Sequence, residues 1–231
     1  MPETTTPVVH LAKAGPEYGV GVYREITEWA ATTPGWMQSA GEIGTEFVIL
    51  VFVALFVLQW WRARGRDHRS MAVALLAPAA VVVVYGLSEI IKVWLHEERP
   101  CRDIPNVRTI AECPESGDWS FPSNHSVIAV ASAATLLLTW RLAAAFALPL
   151  AVLAALSRVY VGVHYLHDVA AGALLGVLLA PLLLLIMTTP GTWAVTRLRQ
   201  RPALKAVLGT APPAAPRPEV AAERHATASN R

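Results

Sequence analysis

The chain has 231 residues, 54% of them apolar, with 19 basic and 17 acidic side chains and a formal charge of +2. That near-neutral balance gives no basis for a nucleic-acid partner. The apolar residues fall in runs too numerous to bury in a soluble globule of this length.

The first 40 residues lack the apolar core of a secretory signal, so none is expected. Tyr18 to Gln38 scatters apolar residues among Arg24, Glu25 and Glu28, and is broken at Thr33-Pro34-Gly35. It is predicted to be an amphipathic interfacial segment within an N-terminal unit, residues 1–43. Five runs without acids or bases follow: Phe47–Leu58, Met71–Leu87, Asn124–Trp140 (apart from His125), Leu142–Leu156 and Val169–Met187. Runs near the length that crosses ~30 Å of hydrocarbon predict transmembrane helices. The expected fold is therefore an all-α, polytopic membrane bundle of about five spans over residues 44–196. The lipid bilayer is its first partner, and nothing in the sequence fixes the oligomeric state. Residues 197–231 are basic and then rich in Ala and Pro, and are expected to be a disordered tail.

The eight tryptophans lie at or beyond the ends of the runs, as expected where indoles mark the membrane boundary. Arg62, Arg64, Arg66 and Arg69 follow the first run, and Arg197, Arg199, Arg201 and Lys205 follow the fifth. By the positive-inside rule both segments, and the C-terminus, are cytoplasmic. The loop between the second and third runs then faces outward, as does the stretch between the fourth and fifth. Cys101 and Cys113 both fall in that outer loop, and an oxidising compartment would let them close a disulfide.

Three polar clusters interrupt the apolar sequence, all on the predicted outer side. The first is KVWLHEERP, with Lys92 and Arg99; read alone, these are interfacial anchors. The second is FPSNHSV, where Ser123 stands at a helix start and Asn124 and His125 lie in the first turn. Unpaired backbone N–H groups at a helix start favour an anion, phosphate above all. The third is SRVYVGVHYLHD. Arg158 offers a forked donor set suited to phosphate oxygens. His164 and Asp168 are four residues apart. If the segment is helical they share a face, and the carboxylate orients the imidazole for nucleophilic attack. His167, adjacent to Asp168, is read as a rim or packing residue. Together the clusters hold what phosphoryl transfer requires: cations and amides for the oxygens, an oriented imidazole, and a proton donor for the leaving oxygen.

With these residues in place the chain resembles the type 2 phosphatidic acid phosphatase (PAP2) superfamily of membrane lipid phosphatases. Its signature has three parts, K-x6-RP, PSGH and SR-x5-H-x3-D. Lys92 with Arg99-Pro100 matches the first, and Ser157-Arg158, His164 and Asp168 match the third. Pro122-Ser123-Asn124-His125 matches the second except that Asn124 replaces glycine. Within the superfamily the FPSNH and SRVYVGVHY segments look most like the BcrC type of undecaprenyl pyrophosphate phosphatase.

The resemblance implies a lipid-linked phosphate as substrate and a metal-independent phosphatase without a cofactor, with its site facing the outer side of a bacterial-type plasma membrane. His164 would form a phosphohistidine, Asp168 would orient it, and His125 would protonate the leaving group and then activate water. Lys92, Arg99, Ser123, Asn124 and Arg158 would hold the phosphoryl oxygens. Glu97 and Glu98 are read as solvated loop charges rather than metal ligands. Undecaprenyl diphosphate is the first expected substrate. Phosphatidic acid, phosphatidylglycerol phosphate and phosphotransfer to another acceptor remain open, as does a non-catalytic transporter or scaffold on the same fold.

Overall fold

A computed structural model describes residues 17–210. Among them there is no strand; the chain folds as helices α1 (Glu17–Thr32), α2 (Gly35–Ala63), α3 (His68–Leu95), α4 (Pro100–Asp103), α5 (Asn124–Thr139), α6 (Arg141–Tyr160), α7 (Leu166–Leu198) and α8 (Lys205–Leu208). Four of them, α2, α3, α6 and α7, are long and apolar enough to cross a membrane. The fifth expected span, α5, has 16 residues, or ~24 Å at 1.5 Å per residue. It sits between α3, α6 and α7 and is built largely of buried Ala, Ser and Val. Shielded by its neighbours, it needs less apolar length than the helices around it.

The bundle is apolar outside and finely packed inside. Phe47, Leu50, Val82, Phe146, Leu153, Leu178 and Leu185 point outward and are well exposed, as suits a lipid-facing surface. The interior is lined instead by small residues, among them Ala77, Ala131, Ala144, Ala147, Ala151 and Ala180. Helices in lipid gain most from such close backbone approach. Gly172 and Gly176 provide it between α5 and α7: a Cβ at Gly172 would lie 2.5 Å from the Ser123 carbonyl oxygen, and one at Gly176 would lie 2.8 Å from the Ala131 nitrogen.

Alternation of the five long helices gathers the N-terminal ends of α2, α5 and α7 with the C-terminal ends of α3 and α6. Glu46 of α2 meets His125 of α5, Asn124 meets Ser88 of α3, Thr45 meets Ser157 of α6, and the Ser123 N–H donates to the Asp168 carbonyl at 3.0 Å. Residues 96–123 cover this end. The structure joins Cys101 to Cys113 in that loop as a disulfide, Cα–Cα 5.9 Å. The N–H groups of Ile110 and Ala111 tie the loop to the Val161 carbonyl.

The N-terminal segment divides where the sequence breaks. α1 ends at Thr32, and α2 begins at Gly35, inside the unit expected to end at residue 43. α1 lies across the end of α6: Tyr23 is buried and donates from its hydroxyl to the Gly162 carbonyl at 2.7 Å, and Thr33 Oγ1 pairs with the Tyr160 hydroxyl at 2.6 Å.

The tail departs from expectation near its start. Residues 202–208 form a short 3-10 turn and α8, and Leu208 is buried against Ala63, Met71 and Ala72. Arg199 is the reason. Its guanidinium donates to the Leu208, Arg66 and Ala63 carbonyls and pins the chain to the α2–α3 corner. Residues 211–231, which hold most of the Ala/Pro-rich stretch, lie outside the described residues.

Candidate active site

The three polar clusters converge at the gathered helix ends. Lys92 comes from the last turn of α3, Arg99 from the loop after it, Ser123 and His125 from the start of α5, Arg158 from the last turn of α6, and Asp168 from the first turn of α7. Lys92, Arg99, Ser123, His164 and Asp168 are all buried.

His164 does not share a helix face with Asp168. It lies in the turn-and-bend connector before α7, and the contact arises from the geometry of a helix start. Asp168 folds its carboxylate back over the first turn, where Oδ2 accepts from the Tyr165 N–H at 2.8 Å and from the Ser120 hydroxyl. His164 Nδ1 stands 3.3 Å from the same oxygen. Gly162, with φ +89°, makes the turn that brings the connector here; a Cβ on it would strike Thr109.

The other imidazole nitrogen is equally defined. Arg99 Nη1 lies 3.1 Å from His164 Nε2 while also donating to the Val163 carbonyl at 3.0 Å. A guanidinium only donates, so Nε2 must carry the lone pair and Nδ1 the proton that faces Asp168. Burial pushes the His164 pKa down to about 4, and the Arg99 and Arg158 charges act in the same direction against the opposing pull of Asp168. The imidazole is neutral at ordinary pH, with its Nε2 lone pair turned toward Arg99.

Arg158 Nε and Ser123 Oγ are buried polar atoms without a hydrogen-bond partner. Ser123 is the N-cap of α5 yet makes no side-chain capping bond. Both groups have hydrogen-bonding capacity that the described residues leave unused. The Asn124 side chain is engaged by α3, accepting from Ser88 Oγ at 2.8 Å and donating to Glu89. What it has left for a phosphate is its backbone N–H.

Several functional contacts had no signal in the sequence. Asp118 accepts from Arg99 Nη2 at 3.0 Å and lies 3.5 Å from Lys92 Nζ. Burial alone would raise its pKa, but the Arg99 hydrogen bond and the two positive charges hold it below the usual carboxylate range. Glu46 stands 2.8 Å from His125 Nε2. Ser120 bridges Asp168 and the His164 ring.

His167 packs at the rim, stacked on Tyr165 with ring centroids 5.1 Å apart, and it also reaches Asp168. Its Nε2 lies 3.1 Å from Asp168 Oδ1, because the folded-back carboxylate lies above the turn that both histidines reach. Its N–H points instead at Glu97 Oε1, 2.6 Å away, leaving Asp168 Oδ1 without a donor. Glu97 is therefore no solvated loop charge, whereas Glu98 pairs loosely with Arg102 at 3.6 Å. Glu97, His167 and Asp168 bring ligand atoms within 4.8 Å of one another, a spacing open to a metal ion. The imidazole N–H already satisfies Glu97, so the trio is coherent without one.

The comparisons with known proteins settle the family. The PAP2 superfamily model matches residues 73–191, which contain all three clusters. The chain belongs to the PAP2 superfamily. It is 35% identical over 132 residues to the bacitracin transport permease protein BcrC of Bacillus licheniformis, covering 57% of this chain and 63% of that protein. It is 32% identical over 178 residues to an undecaprenyl-diphosphatase of Sulfolobus acidocaldarius, covering 73% and 80%. A decaprenylphosphoryl-5-phosphoribose phosphatase of Mycobacterium tuberculosis is 34% identical over 176 residues, covering 72% and 89%. In fold it is similar to the crystal structure of a PAP2-type phosphatidylglycerolphosphate phosphatase from Bacillus subtilis, with a TM-score of 0.53 and 22% identity over 80% of this chain and 90% of that one.

Proposed function

We propose that the protein is a membrane phosphatase that removes the terminal phosphate of a polyprenyl diphosphate, through a phosphohistidine on His164, at the outer membrane face. One observation carries the chemistry. His164 presents a neutral Nε2 to Arg99 while Asp168 holds the proton of Nδ1. An imidazole in that tautomer, facing a cation, is set to attack a phosphorus whose oxygens the cation holds.

The steps balance without a metal. His164 Nε2 forms a bond to the terminal phosphorus, and the bond from phosphorus to the bridging oxygen breaks. His125, as imidazolium, gives its proton to that oxygen, and the lipid monophosphate leaves. His125 then takes a proton from water, whose oxygen attacks the phosphorus and breaks the P–N bond. Inorganic phosphate departs and His164 is restored. Glu46 stabilises the charged His125 at 2.8 Å. Lys92, Arg99 and Arg158 balance the charge of the phosphoryl oxygens, with the Ser123 hydroxyl and the first N–H groups of α5 as neutral donors.

The substrate class rests on the relatives of undecaprenyl-diphosphatase and BcrC name, and on the apolar flanks that a long lipid would follow from the bilayer. The phosphoribose phosphatase relative favours a second reading, a polyprenyl-linked sugar phosphate whose terminal ester would meet the same groups. The outward orientation is supported by charge. Arg62, Arg64, Arg66, Arg69, Arg197 and Arg201 lie at the opposite end of the bundle, as expected of a cytoplasmic face.

Phosphate release from a panel of lipid mono- and diphosphates in detergent tests the proposal, with His164→Ala protein as the blank. Fastest release from polyprenyl diphosphate, undiminished by a chelator, is the expected result. Release no faster than the blank overturns the enzyme reading, preference for the sugar phosphate selects the second reading, and loss of activity with chelator restored by Mg²⁺ overturns the metal-free mechanism.

A further inference from the structure

We infer that the end of the bundle remote from the candidate active site holds a binding site for an anionic phospholipid, recognised through its phosphodiester and a hydroxyl-bearing head group. A cavity of about 160 Å³ opens there between the last turns of α2, the first turns of α3, the α5–α6 corner and the C-terminal half of α7. Its lining includes Arg62, Arg66 and Arg69 and no acidic side chain. Among the described residues none of the three forms an ion pair. Arg62 is set in place by stacking over Trp140, 4.5 Å from the ring centroid.

Arginines at a helix end are often plain interfacial anchors. Two buried atoms set this place apart. Gln59 is 7% exposed, lines the cavity, and its Oε1 has no hydrogen-bond partner; the Thr139 Oγ1 on the opposite wall has none either. A buried amide oxygen without a donor is uncommon and calls for one. Water could reach a cavity of this size, but three guanidinium groups beside it without an ion-pair partner favour an anion.

The remaining wall is apolar, with Leu138, Leu184 and Leu185. The combination fits one ligand class. A phosphodiester answers the arginines, a head-group hydroxyl donates to Gln59, and the glycerol and first acyl carbons lie along the leucines. Free phosphate would leave the leucines unmet. A zwitterionic head group would bring its own cation toward the arginines. Basic pockets between transmembrane helices at this boundary are suited to anionic lipid head groups. The site is distinct from the phosphoryl-transfer groups, and its occupancy does not depend on what those groups hydrolyse.

Native mass spectrometry on the delipidated full chain tests this, titrating phosphatidylglycerol, phosphatidylmethanol (anionic, without head-group hydroxyls), phosphatidylcholine and inorganic phosphate. We expect one phosphatidylglycerol bound about tenfold more tightly than phosphatidylcholine, with phosphatidylmethanol between them. Replacing Arg62, Arg66 and Arg69 together by Gln should bring phosphatidylglycerol to the phosphatidylcholine level, with the thermal midpoint in phosphatidylcholine unchanged. Gln59→Leu should remove the advantage of phosphatidylglycerol over phosphatidylmethanol. Equal binding of phosphatidylglycerol and phosphatidylcholine to the wild-type chain overturns the site whether or not the variants fold. Undiminished phosphatidylglycerol binding by the triple variant overturns it as well. Displacement of the lipid by millimolar inorganic phosphate would make this a phosphate site and overturn the lipid assignment.

Discussion

The Asp118 carboxylate accepts from the Arg99 guanidinium at 3.0 Å, on the side chain that also reaches His164 Nε2. The same carboxylate lies 3.5 Å from Lys92 Nζ. An acid from the covering loop thus shares the two cations that a phosphoryl group is proposed to use. Phosphate must compete with it. The side chain of Asp118 is 49% exposed, so the pairing is screened and worth about 1 kcal/mol.

Asp118→Asn removes the competing charge and keeps the shape. Competitive inhibition by inorganic phosphate should tighten about fivefold, the equivalent of that 1 kcal/mol. Because Asp118 is held below the usual carboxylate range, the contact persists through neutral pH and acid conditions as mild as pH 5 do not release it. Weaker inhibition in the variant would mean that Asp118 positions Arg99 rather than competing with substrate.

The two histidines of the last motif separate by function although both reach Asp168. His164→Ala should lower phosphate release by roughly 10⁴-fold or more, since the covalent step loses its nucleophile. His167→Ala removes the contacts with Glu97 and Asp168 Oδ1 but leaves Oδ2, the oxygen His164 uses. Its loss should stay within about tenfold, the scale of a supporting contact. Equal losses in the two variants, read as kcat in detergent, would remove His164 from the central role.

The pH dependence has a defined sign. His164 is neutral down to about pH 4 when folded, and an exposed imidazole protonates near 6.5. Between these values the unfolded chain binds the extra proton, so stability rises with pH there. The contribution is fully present above about pH 6.5, is lost as pH falls toward 4, and amounts to roughly 3 kcal/mol. Thermal midpoints should fall across that window in the wild type and less in His164→Gln. An identical fall in both would assign the acid sensitivity elsewhere.

What the sequence made legible, and what it did not, divides along one physical line. The apolar runs and the three clusters are local patterns; all five runs lie in helices, four of them long and apolar enough to cross a membrane. The Cys101–Cys113 pairing joins two residues of one loop. Glu46 and Ser120 became partners of His125 and Asp168 only through packing between distant segments, and Asp118 meets Arg99 through the folding of their shared loop, which no spacing encodes. His164 was matched to Asp168 by a helical four-residue step, yet the contact comes from a carboxylate folded over a helix start. The same fold-back brings His167, read from the sequence as a rim or packing residue, within reach of Asp168. A signal was present for one unread feature: Gly172 and Gly176, four apart on α7, have the small-residue spacing of close helix contacts.

Glu46 offers a test of the proton-transfer step. It is 68% exposed at its side chain and stands 2.8 Å from His125 Nε2, so it favours the charged imidazole without being buried itself. Glu46→Gln should lower kcat about tenfold and change KM little, because the cations that bind phosphate are untouched. A substrate with a more acidic leaving group, such as an aryl phosphate, needs less proton donation and should lose less. An equal loss on both substrates would make Glu46 a structural contact and not a support for the acid.

Gly172→Ala probes how closely α5 and α7 must approach for the site to form. The added Cβ would fall 2.5 Å from the Ser123 carbonyl oxygen and 3.1 Å from Ser126 Cβ. Those neighbours are backbone and a buried helix residue, so the helices themselves must part. Overpacking of this kind costs about 1–3 kcal/mol. It also strains the 3.0 Å bond from the Ser123 N–H to the Asp168 carbonyl, which fixes the start of α5 against the first turn of α7, where Asp168 meets His164. The expected result is a lower thermal midpoint and a larger fractional loss of kcat than of folded protein, measured on the same preparation. Full activity in the folded fraction would show that the two helix starts need not be held this closely for catalysis.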